Sequence, residues 1–120
     1  MSESLDIEKI KNTLRKFSKE RDWQQFHSPK NLVMALSVEV AELVEIFQWS
    51  NDGGTEVLKN PKLRSDIEEE IADVFNYLVK LVDLLGMDLE KASLDKIVKN
   101  AKKYPIEKAR GESKKYNDFD

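Results

Sequence analysis

Apolar residues recur through most of this chain at every third or fourth position, the interval that lines one face of an α-helix, and no segment carries the alternation of a strand. Leu5, Ile10, Leu14 and Phe17 define the first such face and predict a helix over about residues 5–20, with Asp6 and Glu8 at the end where the helix dipole favours acids. Residues 21–30 break the pattern and read as a loop carrying Trp23, Phe26 and His27. Ser28-Pro29 then supplies a cap and a first-turn proline for a second helix that runs to about Trp49. Asn51-Asp52-Gly53-Gly54 is a strong breaker, Asn60-Pro61 starts a third helix, and Gly86 ends it. Asp88 caps a fourth, bearing Leu89, Ala92, Leu94, Ile97, Val98 and Ala101, which stops near Tyr104 because Pro105 disfavours helical geometry in the residue before it. The predicted fold is all-α: a four-helix bundle over residues 1–104, then a basic tail over 105–120 with too little apolar material for another core element.

The two middle helices carry the same pattern. On an ideal helix, Leu32, Leu36, Val40, Leu43 and Phe47 fall within about 80°, as do Leu63, Ile67, Ile71, Val74 and Leu78. Glu39 and Glu70 each lie only about 20° outside the edge of their stripe, with Glu42 and Asp73 further round the same flank. A spacing of three lets both acids of a pair reach one hard cation. If the chain reverses between Trp49 and Pro61, Glu39 and Glu42 lie roughly 10 to 15 Å from the turn and Glu70 and Asp73 roughly 14 to 18 Å, so all four reach similar height. Carboxylates gathered without a counterion repel and raise one another's pKa values, which makes a divalent cation their natural partner. Oxygen-only ligation favours Mg²⁺, with Mn²⁺ as a substitute, over Zn²⁺.

At 120 residues the chain reads as one domain, large enough for a core and better stabilised by association. It has no cysteine, which excludes disulfides and thiolate metal sites. Charged residues make up 36% of the chain but the net charge is only −3, so the charge is expected on solvated helix faces and a nucleic-acid polymer is not expected as a partner. The N-terminus lacks the basic and apolar regions of a signal peptide and no apolar run approaches a membrane span. A soluble, cytoplasmic protein is therefore expected.

Taken in order, three groups of residues resemble the motifs of the MazG-like nucleotide pyrophosphohydrolases, most nearly their dCTP pyrophosphatase branch. They are Arg21-Asp22-Trp23-Gln24-Gln25-Phe26-His27; Glu39-Val40-Ala41-Glu42 followed by Phe47-Gln48-Trp49; and Glu69-Glu70-Ile71-Ala72-Asp73-Val74. The likeness continues through Lys103-Tyr104-Pro105 to Lys114-Lys115-Tyr116, nearly the whole chain. It implies the all-α NTP pyrophosphatase fold and an enzyme that converts a nucleoside triphosphate to the monophosphate and pyrophosphate with Mg²⁺. The implied role is nucleotide-pool house-cleaning, with dCTP or modified dCTP as the first substrates to expect. By the same resemblance Glu39, Glu42, Glu70 and Asp73 are the expected metal ligands, and Glu45 or Glu69 accepts a proton from the attacking water.

Trp23, His27, Trp49 and Tyr77 are candidates for the base and sugar pocket, because stacking on an aromatic face is worth roughly 1 to 3 kcal/mol per base. Asn100, Lys103, Arg110 and Lys114 are candidates for the triphosphate oxygens. The family is usually homotetrameric with sites near subunit contacts, and this too is an expectation here. Leu14 occupies a first-helix position where vertebrate members carry a histidine near the base, so base preference is expected to depart at this point.

Blander readings compete. Glu68 reads as part of a solvated acidic face, and by composition alone the tryptophans are packing residues. Two other functions fit the residues: a pyrophosphatase of broad base tolerance, and a non-catalytic helical oligomerisation module with a structural cation.

Overall fold

Each predicted helix forms, and each begins under a side chain that holds its first free amides. The computed structural model describes residues 4–113. Helix α1 (Ile7–Glu20) starts at Asp6, whose carboxylate accepts from Lys9 N at 3.0 Å. Helix α2 (Pro29–Phe47) starts at Ser28, which accepts from Asn31 N at 3.1 Å. Asn60 accepts from the amides of Lys62 and Leu63 to open α3 (Pro61–Leu85), and Asp88 accepts from Lys91 N to open α4 (Leu89–Lys103). Pro29 and Pro61 occupy first-turn positions, where the missing N–H has no helical partner to lose. Gly86 closes α3 in the left-handed conformation, φ 67°, a backbone that L side chains resist. Among the described residues there is no strand.

Three local features depart from the pattern. The loop over 21–30 contains a 3₁₀ turn, Gln24–Phe26, tied to α2 by the Asn31 amide donating to the Phe26 carbonyl at 2.9 Å. The α2–α3 connection contains another, Thr55–Lys59. The segment after α4 forms a one-turn helix, α5 (Ile106–Ala109), where only a tail was expected: Pro105, whose ring ends α4, accepts from Lys108 N and Ala109 N and so starts the next turn.

The chain divides into two compact units, one up to Gly86 and one from Met87. In the first, α2 and α3 form a helical hairpin, α1 packs on α3, and the Thr55–Lys59 turn packs on the start of α3. Leu32, Val79 and Val82 are buried where α1 adds a third helix to the hairpin, and Val57 is buried near its joint. The apolar stripes are only partly core, a correction to the expectation from spacing. Leu36, Leu43, Leu63, Ile67, Val74 and Leu78 are half-buried, but Val40 is 42% and Ile71 52% exposed. The stripes are wider than the surface that one neighbouring helix covers, so their outer edges face away from it. The second unit holds α4 and α5, and Leu94, Ile97 and Val98 of α4 are exposed.

The hairpin joint is held by Asp52. One carboxylate oxygen accepts from Ser50 Oγ at 2.8 Å and Gly54 N at 3.1 Å; the other accepts from Thr55 Oγ1 and Glu56 N, each at 3.0 Å. Gly54 is buried at φ 89°, and a Cβ there would lie 2.8 Å from the Phe47 ring. At the other end, Arg15 of α1 grips Asp83 of α3: Nε donates to Oδ2 at 2.7 Å and a second guanidinium nitrogen donates to Oδ1.

Candidate active site

Helix α2 presents Glu39 and Glu42, and α3 presents Glu70 and Asp73, on the flanks where the two helices meet. Oxygens of Glu39, Glu70 and Asp73 all lie within 4.8 Å of one another. Glu42 is exposed beside them and raises the pKa of both Glu39 and Glu70 by contact and charge. One oxygen of Glu39 and one of Glu70, the Oε2 atom in each, are buried without a hydrogen-bond partner. A buried acceptor left unpartnered is costly, and here two stand together.

The electrostatics follow from that geometry. Desolvation, then the side chains of Glu39 and Glu42, push the Glu70 carboxyl up to about 7 from an ordinary 4.5. Glu39 is also raised, chiefly by desolvation; Glu42 and Asp73 add to the rise, while its contact with Glu70 opposes it. Both carboxyls are therefore held towards their protonated forms. A divalent cation answers each of these features. Bound between Glu39 and Glu70, such an ion would give the two orphaned oxygens a partner, take the place of a proton and offset the repulsion. The donors are carboxylate oxygens only, which suits a hard ion such as Mg²⁺ or Mn²⁺.

Glu42 and Glu70 also line an open cleft of about 450 Å³ with Glu45, Ile46, Asp66 and Glu69. Both residues considered as proton acceptors, Glu45 and Glu69, thus face the same space as the carboxylate cluster. A second cavity of about 300 Å³ lies between α1 and the hairpin, walled by Leu14, His27, Leu32, Val79, Lys80 and Asp83 among others. His27 is half-buried in it, and its pKa is lowered by desolvation and by the charge of Lys80. Tyr77 is half-buried one turn nearer the carboxylates, with Lys80 Nζ 5.1 Å over its ring.

The remaining candidates are placed elsewhere. Trp23 packs edge-on against Phe17, ring centroids 5.7 Å apart, and Trp49 stands 83% exposed just beyond the end of α2; neither lines the cleft or the cavity described above. Asn100, Lys103 and Arg110 belong to the second unit and are exposed there. Lys114 lies outside the described residues. Pattern reading passed over Lys80, Asp83 and Arg15. The signal for Lys80 and Asp83 was present in the two charges interrupting the apolar run Leu78-Val79-Lys80-Leu81-Val82-Asp83-Leu84-Leu85; Arg15 carried no comparable one.

A model of the MazG-like family matches residues 34–119, most of the chain and all four acids. The chain belongs to the MazG-like family. Relatives within it agree: dCTP pyrophosphatase 1 of Homo sapiens is 43% identical over 115 residues, covering 94% of this chain and 67% of the relative. The protein of the same name from Rattus norvegicus is 42% identical over the same shares. The crystal structure of a pyrophosphatase from Archaeoglobus fulgidus superimposes with a TM-score of 0.77 at 43% identity, over 88% of this chain and 97% of that one. This MazG-like chain therefore shares both sequence and helical architecture with proteins named for pyrophosphatase activity. Among its described residues no helix is long and apolar enough to cross a membrane.

Proposed function

We propose that this protein is a nucleoside triphosphate pyrophosphohydrolase that converts a deoxynucleotide, dCTP or a modified dCTP first, to the monophosphate and pyrophosphate. The observation that carries this reading is the pair of buried, unpartnered oxygens of Glu39 and Glu70 inside a carboxylate cluster of a MazG-like chain. The names of the relatives supply the substrate class. Removal of excess or altered nucleotides, a house-cleaning role, follows from such a reaction.

Glu39, Glu70 and Asp73 are the residues to hold Mg²⁺, with Glu42 completing the set from the cleft side. The chemistry supplied by the bound ion is neutralisation of the triphosphate and acidification of a water molecule. The chain supplies the rest. Fixed at the meeting of two packed helices, the carboxylates hold their geometry without reorganising as charge develops. Glu45 or Glu69, both on the cleft wall, receives the proton of the attacking water, whose oxygen forms the new bond to phosphorus as pyrophosphate leaves. The cavity between α1 and the hairpin takes the nucleoside: Asp73 and Lys80 are seven residues apart on α3, about 10 Å along the axis, a span that a sugar and its α-phosphate bridge.

The assembly we propose is a homotetramer. Val33, Val40 and Val44 lie within about 40° of one another on α2 and are each roughly half exposed, a stripe that a second copy can cover. In such an assembly the exposed Trp49 is available to a neighbouring copy. Incubating the protein with Mg²⁺ and each dNTP in turn tests the activity: monophosphate and pyrophosphate are the expected products, and release of orthophosphate overturns the reading.

A further inference from the structure

The cavity between α1 and the hairpin has mostly apolar walls, yet Lys80 reaches into it half-buried. The ammonium has no carboxylate partner among the described residues. Its Nζ lies 5.1 Å over the Tyr77 ring, and its charge acts across the same cavity on His27. The nearest acid along α3, Asp83, stands one turn on, but both its oxygens are already taken by Arg15. A half-buried cation whose natural counterion has been claimed by another residue is set up for an acceptor that arrives with a ligand. On an ideal helix Lys80 lies only about 20° round from Asp73, so the acceptor belongs to the same extended ligand as the groups at the carboxylates.

We propose that Lys80 is the specificity-determining residue of this pocket, donating to the neighbouring N3 and O2 acceptors of a cytosine ring held between Leu14 and Leu32. The inference rests on the nucleotide pyrophosphohydrolase reading. An ammonium has donors and no acceptor, so it matches an edge that presents acceptors side by side. Cytosine does so along N3 and O2; uracil and thymine place an N–H donor at position 3, which faces the ammonium unfavourably. Burial lowers the Lys80 pKa from its usual value, as expected of an ammonium held partly out of solvent.

The test compares dCTP with dUTP, which differ at N3 and at the neighbouring C4 substituent, in the wild type and in Lys80→Met, with Lys80→Gln as a second variant of smaller apolar bulk. Lys80→Met is expected to lower kcat/KM for dCTP about 10- to 100-fold, mainly through KM, and to change dUTP little, so that the ratio between the two collapses. Equal losses for both nucleotides, in either variant, overturn the assignment and place Lys80 at the phosphates or in the fold. An active wild type that does not distinguish dCTP from dUTP overturns it as well. A wild type that turns over no dNTP overturns the activity itself, a result separable from the other two.

Discussion

Two kinds of carboxylate occupy the α2–α3 hairpin and its flank with α1. Asp52 and Asp83 have every oxygen engaged by donors of the chain itself, and their pKa values are depressed, Asp52 first by Ser50 and Asp83 first by Arg15. Glu39 and Glu70 each keep a buried oxygen without a partner, and desolvation drives their pKa values up. The same chemical group thus appears as a fastener in one place and as an unanswered demand in the other. The chain supplies Asp52 with donors from its own turn and Asp83 with a guanidinium 68 positions away; for the buried oxygens of Glu39 and Glu70 it supplies none, which fits a site completed by a ligand.

The contrast can be broken hardest at the cluster. Glu39→Gln and Glu70→Gln should each lower pyrophosphohydrolase activity at least about 100-fold, since even residues behind metal ligands commonly cost 10- to 100-fold. Circular dichroism should show the helices intact, and Mg²⁺ or Mn²⁺ should raise the Tm of the wild type but not of either variant. Loss of helicity instead would mean that these acids are fasteners after all.

A smaller effect separates the two kinds by pH. Glu70 gives up its proton to bind a cation, so metal affinity should weaken about tenfold for each pH unit below about 7. Isothermal titration across pH 5.5–8 reads this slope, and Glu70→Gln should flatten it.

Without metal, the signs of the stability effects are opposite. Glu70 is raised from 4.5 to about 7, so the folded chain holds a proton that the unfolded chain lacks; its contribution is fullest at low pH and falls as pH rises through that window. Asp52 and Asp83 are lowered below 3.8, so their contribution is present above that value and lost as pH falls beneath it. Thermal melts of the metal-free protein should show the first trend disappear in Glu70→Gln and the second weaken in Asp83→Asn. The mildest change is Asp52→Ala, which should lower the Tm modestly while leaving the pH slope of metal binding in place.

Much of this was legible in the chain. The four main helices follow from apolar spacing and from Asp6, Ser28, Asn60 and Asp88 as caps, all local signals. The pairing of Glu39 and Glu70 was legible too, because position on a helix fixes both angle and height, and a hairpin turns two such positions towards each other. The α1 pocket was not. It depends on Arg15 meeting Asp83 across 68 positions, and nothing in the local sequence of either says which partner it will choose. The exposure of Val40 and Ile71 was equally hidden, since a stripe records that a surface is apolar and not whether this chain or another copy covers it.

The hairpin joint has a consequence for the chemistry far along its shaft. Phe47 at the end of α2 lies against Gly54, and Asp52 ties Ser50 to Glu56. Together they act as a gauge that fixes where α3 begins relative to α2. A slip of one residue at that gauge would turn Glu70 by about 100° and carry it out of reach of Glu39. The small residue at position 54 therefore belongs to the alignment of the candidate metal site as much as to the turn, and a longer or looser joint would misplace the four acids while leaving every one of them in the sequence.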